Sequence, residues 1–193
     1  MYNIVANAML GDGCVHTPKT GKNPYLVFSS TSLDLLNAKR MMCIEHGIGV
    51  EVIRPKKQLG YGKKQMYEFR TNRHKSISEI AASGKCNVIM NLGKEDIALW
   101  FLDDGSLHKH KFFGHLYCNT LTSDELGVLI ERIVALYGIL PKERKDRKKD
   151  GREYPYLYYP VSLMTVMQPD IKKLIRCYGI VSLQYKIRET FND

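Results

Sequence analysis

The chain lacks any apolar run near the ~20 residues needed to span a bilayer, so a membrane-crossing role is not expected. Acids are scarce relative to bases: 29 Lys and Arg stand against 20 Asp and Glu, a formal charge of +9. That surplus argues against acidic-surface proteins and cationic partners, and it suits a polyanion such as nucleic acid. Cysteines are few, odd in number and without C-x-x-C spacing (Cys14, Cys43, Cys86, Cys118, Cys177), which excludes a disulfide framework and points to a reducing compartment. Met1 to Leu10 has no basic start of the kind a secretory leader carries. These absences place the expected location in the cytoplasm of a bacterial or phage-infected cell, or in an organelle with its own protein synthesis. His108, His110, His115 and Cys118 lie close together but lack a paired-ligand knuckle, so they read as strand and turn and not as a zinc site.

What is present is apolar content of 44% over 193 residues, enough to bury a core, and a repeat. Asp12-Gly13 returns as Asp104-Gly105, Ser30-Thr31 as Asn119-Thr120, Gly47-Ile48 as Gly138-Ile139, and Tyr67-Glu68-Phe69 as Tyr156-Leu157-Tyr158. All four keep their order and a nearly constant offset. The chain therefore divides into two units, 1–88 and 89–193. Each reads as helix, two strands, helix, two strands, helix, an α+β arrangement. In the first unit the spacing predicts a helix over 2–11, strands at Val15 and 25–29, and a helix over 34–46 ended by Gly47. Strands over 50–53 and 65–70 follow around Gly60-Tyr61-Gly62, then a closing helix over 77–82. The second unit repeats this with helices over 95–103, 124–137 and 169–178, its last strand pair turning at Asp150-Gly151.

In both units an apolar helix runs into an aspartate and a glycine. A helix C-terminus carries about half a negative charge and unpaired carbonyls, so an acid there is disfavoured without a compensating cation. Two such ends side by side would offer two carboxylates plus backbone carbonyls, a hard-oxygen set that suits magnesium, or another divalent ion such as manganese. The candidate metal set is Asp12 and Asp104 with the preceding Gly11 and Asp103. The Asp103 carboxylate itself reads as helix termination, because adjacent helical residues do not share a face.

The segments Ile4 to Gly13 and Trp100-Phe101-Leu102-Asp103-Asp104-Gly105 resemble the two signature motifs of single-chain, two-repeat LAGLIDADG homing endonucleases. Tyr67-Glu68-Phe69-Arg70-Thr71, Cys118-Asn119-Thr120 and Ser182-Leu183-Gln184-Tyr185-Lys186-Ile187 match further landmarks of that family in order. The resemblance implies two pseudo-symmetric αββαββα repeats, a DNA-binding β saddle, and two central motif helices carrying Asp12 and Asp104. It also implies metal-dependent hydrolysis of one phosphodiester per strand, with short 3′ overhangs, by a monomer on a long asymmetric duplex site. Catalytic lysines are carried over onto Lys85 and Lys186. Where the family often has a small residue at the third motif position, this chain has Asn7 and Leu99, so close helix contact must rest on Ala6 and Ala98.

Base recognition falls to the hairpins. Between Val52 and Tyr67 lie Arg54, Lys56, Lys57, Lys63 and Lys64 with no acid, and Lys142 to Arg152 holds seven basic residues against three acidic, among them Arg144, Lys145, Arg147, Lys148 and Arg152. Basic runs on corresponding hairpins of two repeats suggest one shared partner, with Ser29, Arg70, Arg73, Lys109 and Lys111 joining the same face. Two other uses of the architecture stay open at this point: a maturase that binds intron RNA, and a catalytically silent DNA-binding regulator.

Overall fold

Ser32 and Thr122 show how the repeat is built. Each precedes an apolar-striped segment and accepts, through its hydroxyl, the amide three residues on: Leu35 at 3.3 Å and Glu125 at 3.3 Å. Thr122 also donates its own amide to the Glu125 carboxylate at 2.8 Å, which closes a capping box. The helices so begun end near Gly47 and Gly138, both left-handed at φ 74° and 70°, a conformation in which a side chain would be strained.

The computed structural model describes residues 2–19, 22–56, 64–108, 110–147, 151 and 153–187. The first unit runs α1 (Tyr2–Leu10), β1 (Gly13–His16), β2 (Tyr25–Ser30), α2 (Leu33–Glu45), β3 (Arg54–Lys56), β4 (Met66–Arg70) and α3 (Lys75–Ala82). After α4 (Lys85–Met90) the second runs α5 (Lys94–Asp104), β5 (Gly105–Leu107), β6 (Gly114–Tyr117), α6 (Ser123–Tyr137), β7 (Lys142–Arg147), β8 (Glu153–Tyr159) and α7 (Val161–Tyr178), and a 3-10 turn over Val181–Lys186 follows. Each unit makes one antiparallel four-stranded sheet, ordered β1-β2-β4-β3 and β5-β6-β8-β7. The α+β architecture is that of two equivalent αββαββα repeats. Alternation along β2 and β8 turns Leu26, Phe28, Leu157 and Tyr159 inward against the helices and leaves the other face of each sheet uncovered by helix.

Three local expectations are corrected, and one helix is added. The strand expected over 50–53 is a single bridge from Val50 to Thr71, and ladder pairing resumes only at Arg54 opposite Glu68, one residue out of step, as at a bulge. The closing helix expected from Pro169 starts at Val161. Pro169 lies inside it, and the apolar stripe of Leu163, Met164, Met167, Ile171, Leu174 and Ile175 holds it together through packing. The unit boundary at 88 falls within α4, which was not anticipated and packs on α6. The second motif helix extends one residue further, through Asp104. The Gly60-Tyr61-Gly62 turn lies outside the described residues.

The two units meet along α1 and α5, where Ala6 and Ala98 are fully buried, as expected. Below the helix ends they are joined by an ion pair between Lys39 of α2 and Asp103 of α5, 2.6 Å apart, with both side chains at 0% exposure. The repeat leaves this pair without a counterpart. Counting from the capping residues Ser32 and Thr122, Lys39 corresponds to Leu129, which is also fully buried, and counting back from the Asp-Gly steps Asp12-Gly13 and Asp104-Gly105, Asp103 corresponds to Gly11. Truncating one partner of a buried pair strands a charge. Lys39→Leu should therefore destabilise the protein by about 3–5 kcal/mol, and Lys39→Leu with Asp103→Ala, which imitates the other half, should recover most of that loss. Urea melts of the two single variants and the double variant check this; additive losses would contradict it.

Candidate active site

The glycines of the two Asp-Gly steps explain how α1 and α5 can end in acids at close quarters. A Cβ on Gly13 would lie 2.5 Å from Ala8 Cα, and one on Gly105 would collide with the Phe101 carbonyl, so each strand can fold back tightly off its helix only with glycine there. Gly11 leaves the gap between the helices: a Cβ there would sit 2.6 Å from Asp103 Oδ2. Three carboxylates consequently gather at one point. Asp103 crosses to the other unit and accepts the Asp12 amide at 3.0 Å as well as the Lys39 ammonium. Asp104 accepts the Trp100 indole N–H at 3.0 Å, one turn earlier on α5, and Asp12 and Asp104 hydrogen-bond through their side chains.

Asp103 is thus a structural tie between the units and not merely the end of a helix. The face argument failed because at the end of α5 both adjacent carboxylates reach the end of α1: a Cβ on Gly11 would lie 2.6 Å from Asp103 Oδ2 and 3.2 Å from Asp104 Oδ2. One signal for its partner was readable. On α2, Lys39 falls in the stripe formed by Leu35, Leu36, Met42 and Cys43, where a lysine must find an acid inside the protein.

Burial raises the pKa of Asp12, with Asp103 adding to the shift; Lys39, the hydrogen bond with Asp104 and Lys186 oppose it. Asp12 nevertheless opens onto a cleft of about 520 Å³ lined also by Ser29, Lys56, Asp103, Tyr185 and Lys186. Asp104 is pushed up to about 8 by burial and by the charges of Asp103 and Asp12, against which the Trp100 hydrogen bond is too weak. Lys186 reaches in from the 3-10 turn and donates to the Phe101 and Leu102 carbonyls at 3.1 and 2.7 Å, joining the Gly105 N–H on the first of them at the end of α5. Burial lowers it to about 8 although all three aspartates pull it the other way.

Lys85 does not join this cluster. It opens α4, and its ammonium donates to the Thr120 carbonyl at 2.6 Å, ahead of α6. The other unit has Ser182 at the corresponding junction, bonded to Asp34 and Ser32 ahead of α2. The sequence equivalence of Lys85 and Lys186 therefore fails, because each follows its closing helix by a different path. Among the described residues no group of three or more His, Cys, Asp or Glu is arranged to hold a metal ion. A divalent cation still fits Asp12 and Asp104, because burial and neighbouring acids hold both carboxyls above their usual range and a bound cation would relieve that. Backbone oxygens at Gly11 and Asp103 lie beside them in sequence.

The two uncovered sheet faces flank this floor. On the first, Ser29 accepts from Lys56 at 3.1 Å, Arg54 stands opposite Glu68, and Arg70 lies 3.5 Å from Glu68. Arg73 and Lys64 are exposed just outside the strands, and Lys111 is exposed in the β5–β6 turn. On β7, register turns Arg144 to the open face beside Tyr156. Lys145 and Arg147 alternate to the helix-bearing side, where Lys145 pairs with Glu153 at 3.2 Å. Lys57, Lys63, Lys109, Lys148 and Arg152 lie outside the described residues.

The sequence model of the LAGLIDADG DNA endonuclease family matches residues 2–167. The chain belongs to this family. A relative from Mycosarcoma maydis named "Probable intron-encoded DNA endonuclease 3" is 26% identical over 139 residues, covering 65% of this chain and 96% of the relative. Among solved structures, the homing endonuclease I-WcaI bound to its DNA recognition sequence superposes with a TM-score of 0.68 at 17% identity, covering 98% of this chain and 85% of that one. The homing endonuclease I-DmoI in complex with DNA and calcium gives 0.56 at 14%, covering 95% and 98%. Full-length WhiA from Thermatoga maritima gives 0.56 at 14%, covering all of this chain and 64% of that one. The family architecture of twin repeats and paired motif helices is the one described above.

The perturbed groups set a pH dependence for the metal-free protein. Asp104 binds its proton more tightly folded than unfolded, so its contribution is complete below about 4 and is lost as pH rises through about 8. Lys186 binds its proton less tightly folded, so its cost persists below about 8 and is relieved as pH climbs toward 10.5. Melting in chelator should therefore show a stability minimum near pH 8. Asp104→Asn should remove the descending limb and Lys186→Met the rising one; unchanged limbs in both variants would contradict the assignments.

Proposed function

We propose that this chain is a site-specific endonuclease that hydrolyses one phosphodiester on each strand of duplex DNA, leaving short 3′ overhangs, and that it acts as a monomer on a long asymmetric target. The observation that carries this reading is the meeting of Asp12 and Asp104, one carboxylate from each repeat, on the floor between two open sheet faces. Family membership and the DNA-bound solved relatives support the partner; the I-DmoI structures named with calcium, manganese and magnesium support a divalent cation.

Asp12 and Asp104 would hold the cation, and magnesium or manganese bound there would supply the positive charge that polarises a phosphodiester and eases ionisation of the attacking water. The chain's own groups do the rest. Asp103, tied to Lys39 and to the Asp12 amide, fixes where the first motif helix ends and so aims Asp12. The Trp100 indole holds Asp104 toward its mate. Lys186 places a cation, easily deprotonated for a lysine, within the same cleft, where it stabilises charge building on the phosphate and can hand a proton to the departing 3′ oxygen. Lys85, committed to Thr120, has no part in this. Lys56, Arg54, Arg70 and Arg144 hold the duplex against the sheets, positioning it through phosphates and base edges.

Asp12→Asn and Asp104→Asn keep side-chain shape and remove the charge that retains the cation. With a duplex selected for binding, cleavage in magnesium should drop by orders of magnitude in each variant, while binding in calcium should persist. Binding of wild-type protein should weaken with salt along a log–log slope of about −7 if some eight phosphates are neutralised. Near-normal cutting by both variants would overturn the catalytic roles. Tight duplex binding by wild-type protein without cleavage in magnesium or manganese would turn the reading to a silent DNA-binding regulator, and preference for structured intron RNA would turn it to a maturase.

A further inference from the structure

The two open sheet faces are built from different chemistry although their strands are equivalent. On the central strands of the first, the outward positions are Tyr25, Val27, Ser29, Met66, Glu68 and Arg70, so that charge lies among apolar groups, with Arg54 and Lys56 alongside on β3. On the central strands of the second they are His115 and Tyr117 from β6 and Tyr156 and Tyr158 from β8, with no ammonium or guanidinium among them. Their rings touch in a continuous lane. His115 lies 4.8 Å from Tyr156 and 5.9 Å from Tyr158, Phe113 lies 5.2 Å from Tyr158, and His108 extends the lane at 4.6 Å from Phe113. Cations of this face, Lys142 and Arg144, stand on the edge strand β7.

A lane of half-buried rings on an open sheet face is an expense that a protein surface avoids unless something covers it, and among the described residues nothing does. Ring-to-ring packing fixes the side chains before any ligand arrives, so little rotamer entropy remains to be lost on contact. In the major groove the base edges differ in what such a surface can meet. Guanine offers two acceptors best read by a bidentate cation, whereas thymine alone offers a methyl group. Burial also holds His115 below the usual histidine range, with His108 adding to that shift, so it contributes no charge at neutral pH.

We propose that the second sheet reads an A·T-rich half of the target by pressing this aromatic lane on thymine methyl groups, while the first sheet reads a half containing G·C pairs through Arg70 and Glu68. Arg70 supplies donors for guanine and Glu68 an acceptor for the cytosine amino group. The asymmetry of the target is then written into the asymmetry of the two faces. The inference rests on the duplex-DNA reading above and adds to it which half carries which bases.

The experiment uses the full chain and calcium, so that bound duplex is not consumed. Duplexes randomised over the footprint are selected for binding, and the winning duplex is remade with deoxyuridine for thymine, first in one half and then in the other. The expected result is a consensus with one A·T-rich half, in which each contacted methyl that is removed weakens binding about fourfold, the worth of ~0.8 kcal/mol. Deoxyuridine in the other half should be neutral. Tyr158→Ala should relax selection in the A·T half only, and Arg70→Ala in the G·C half only. Because the deoxyuridine arm uses unaltered protein, misfolding of a variant does not decide the outcome. A consensus without this division, a neutral deoxyuridine series, or relaxation of the G·C half by Tyr158→Ala would overturn the inference while leaving duplex binding intact. Tyrosine-dependent preference for single-stranded RNA would overturn it as well, and absence of any duplex binding would remove the reading beneath it.

Discussion

Three carboxylates at the ends of two closely packed helices are an electrostatic liability, and the surrounding structure is arranged to contain it. Each acid stands at the negative end of a helix dipole and each is partly or wholly cut off from water. Lys39 rises from α2 to neutralise Asp103, the Trp100 indole partly offsets the burden of Asp104, and Lys186 arrives from the last turn to bond the carbonyls of α5. What stays uncompensated is confined to Asp12, which lines the cleft, and Asp104, half-buried behind it. A fold evolving for stability alone would not gather acids so far above their usual pKa range there.

Internal duplication explains the architecture, and departures from it mark where the halves have taken separate tasks. Gly11 and Leu129 against Asp103 and Lys39 show a neutral and an ionic solution to one packing problem, related by the same pseudo-symmetry. Ser182 and Lys85 clamp the start of the facing helix by different bonds. The open sheet faces differ most: the central strands of one carry Glu68 and Arg70, and those of the other an aromatic lane without a charged group among its rings. Symmetry thus survives in the backbone, where both halves need the same helix ends, and is lost in side chains that meet the outside.

Much of this was legible in the residues. The Asp-Gly repeats, the apolar stripes and the glycines at helix ends specify element type through local rules, and they set two αββαββα units side by side. Asp12, Asp104 and Lys186 could be named from motif position, and the structure brings them together. Lys85 could not be separated from Lys186, since position after a closing helix says nothing of the path taken after Gly84 or Gly179. Lys39 was passed over as one polar residue in a stripe, because its partner lies in the other repeat. Pro169 misled because a proline at a helix start is common, and only the packing of Met164 and Met167 beneath the preceding turns shows that the helix was already under way. Alternation on β7, which sends Lys145 and Arg147 away from the open face, required the register with β8.

The central claim is that the charge deficit between Asp12 and Asp104 is a cation site and not a relic of packing. Anomalous scattering from manganese in crystals of the protein with a selected duplex measures this directly. A peak within coordinating reach of both carboxylates is the expected result, and it should be absent from crystals of Asp104→Asn. Manganese bound only elsewhere, or a duplex-bound protein with no peak beside either aspartate, would contradict the account.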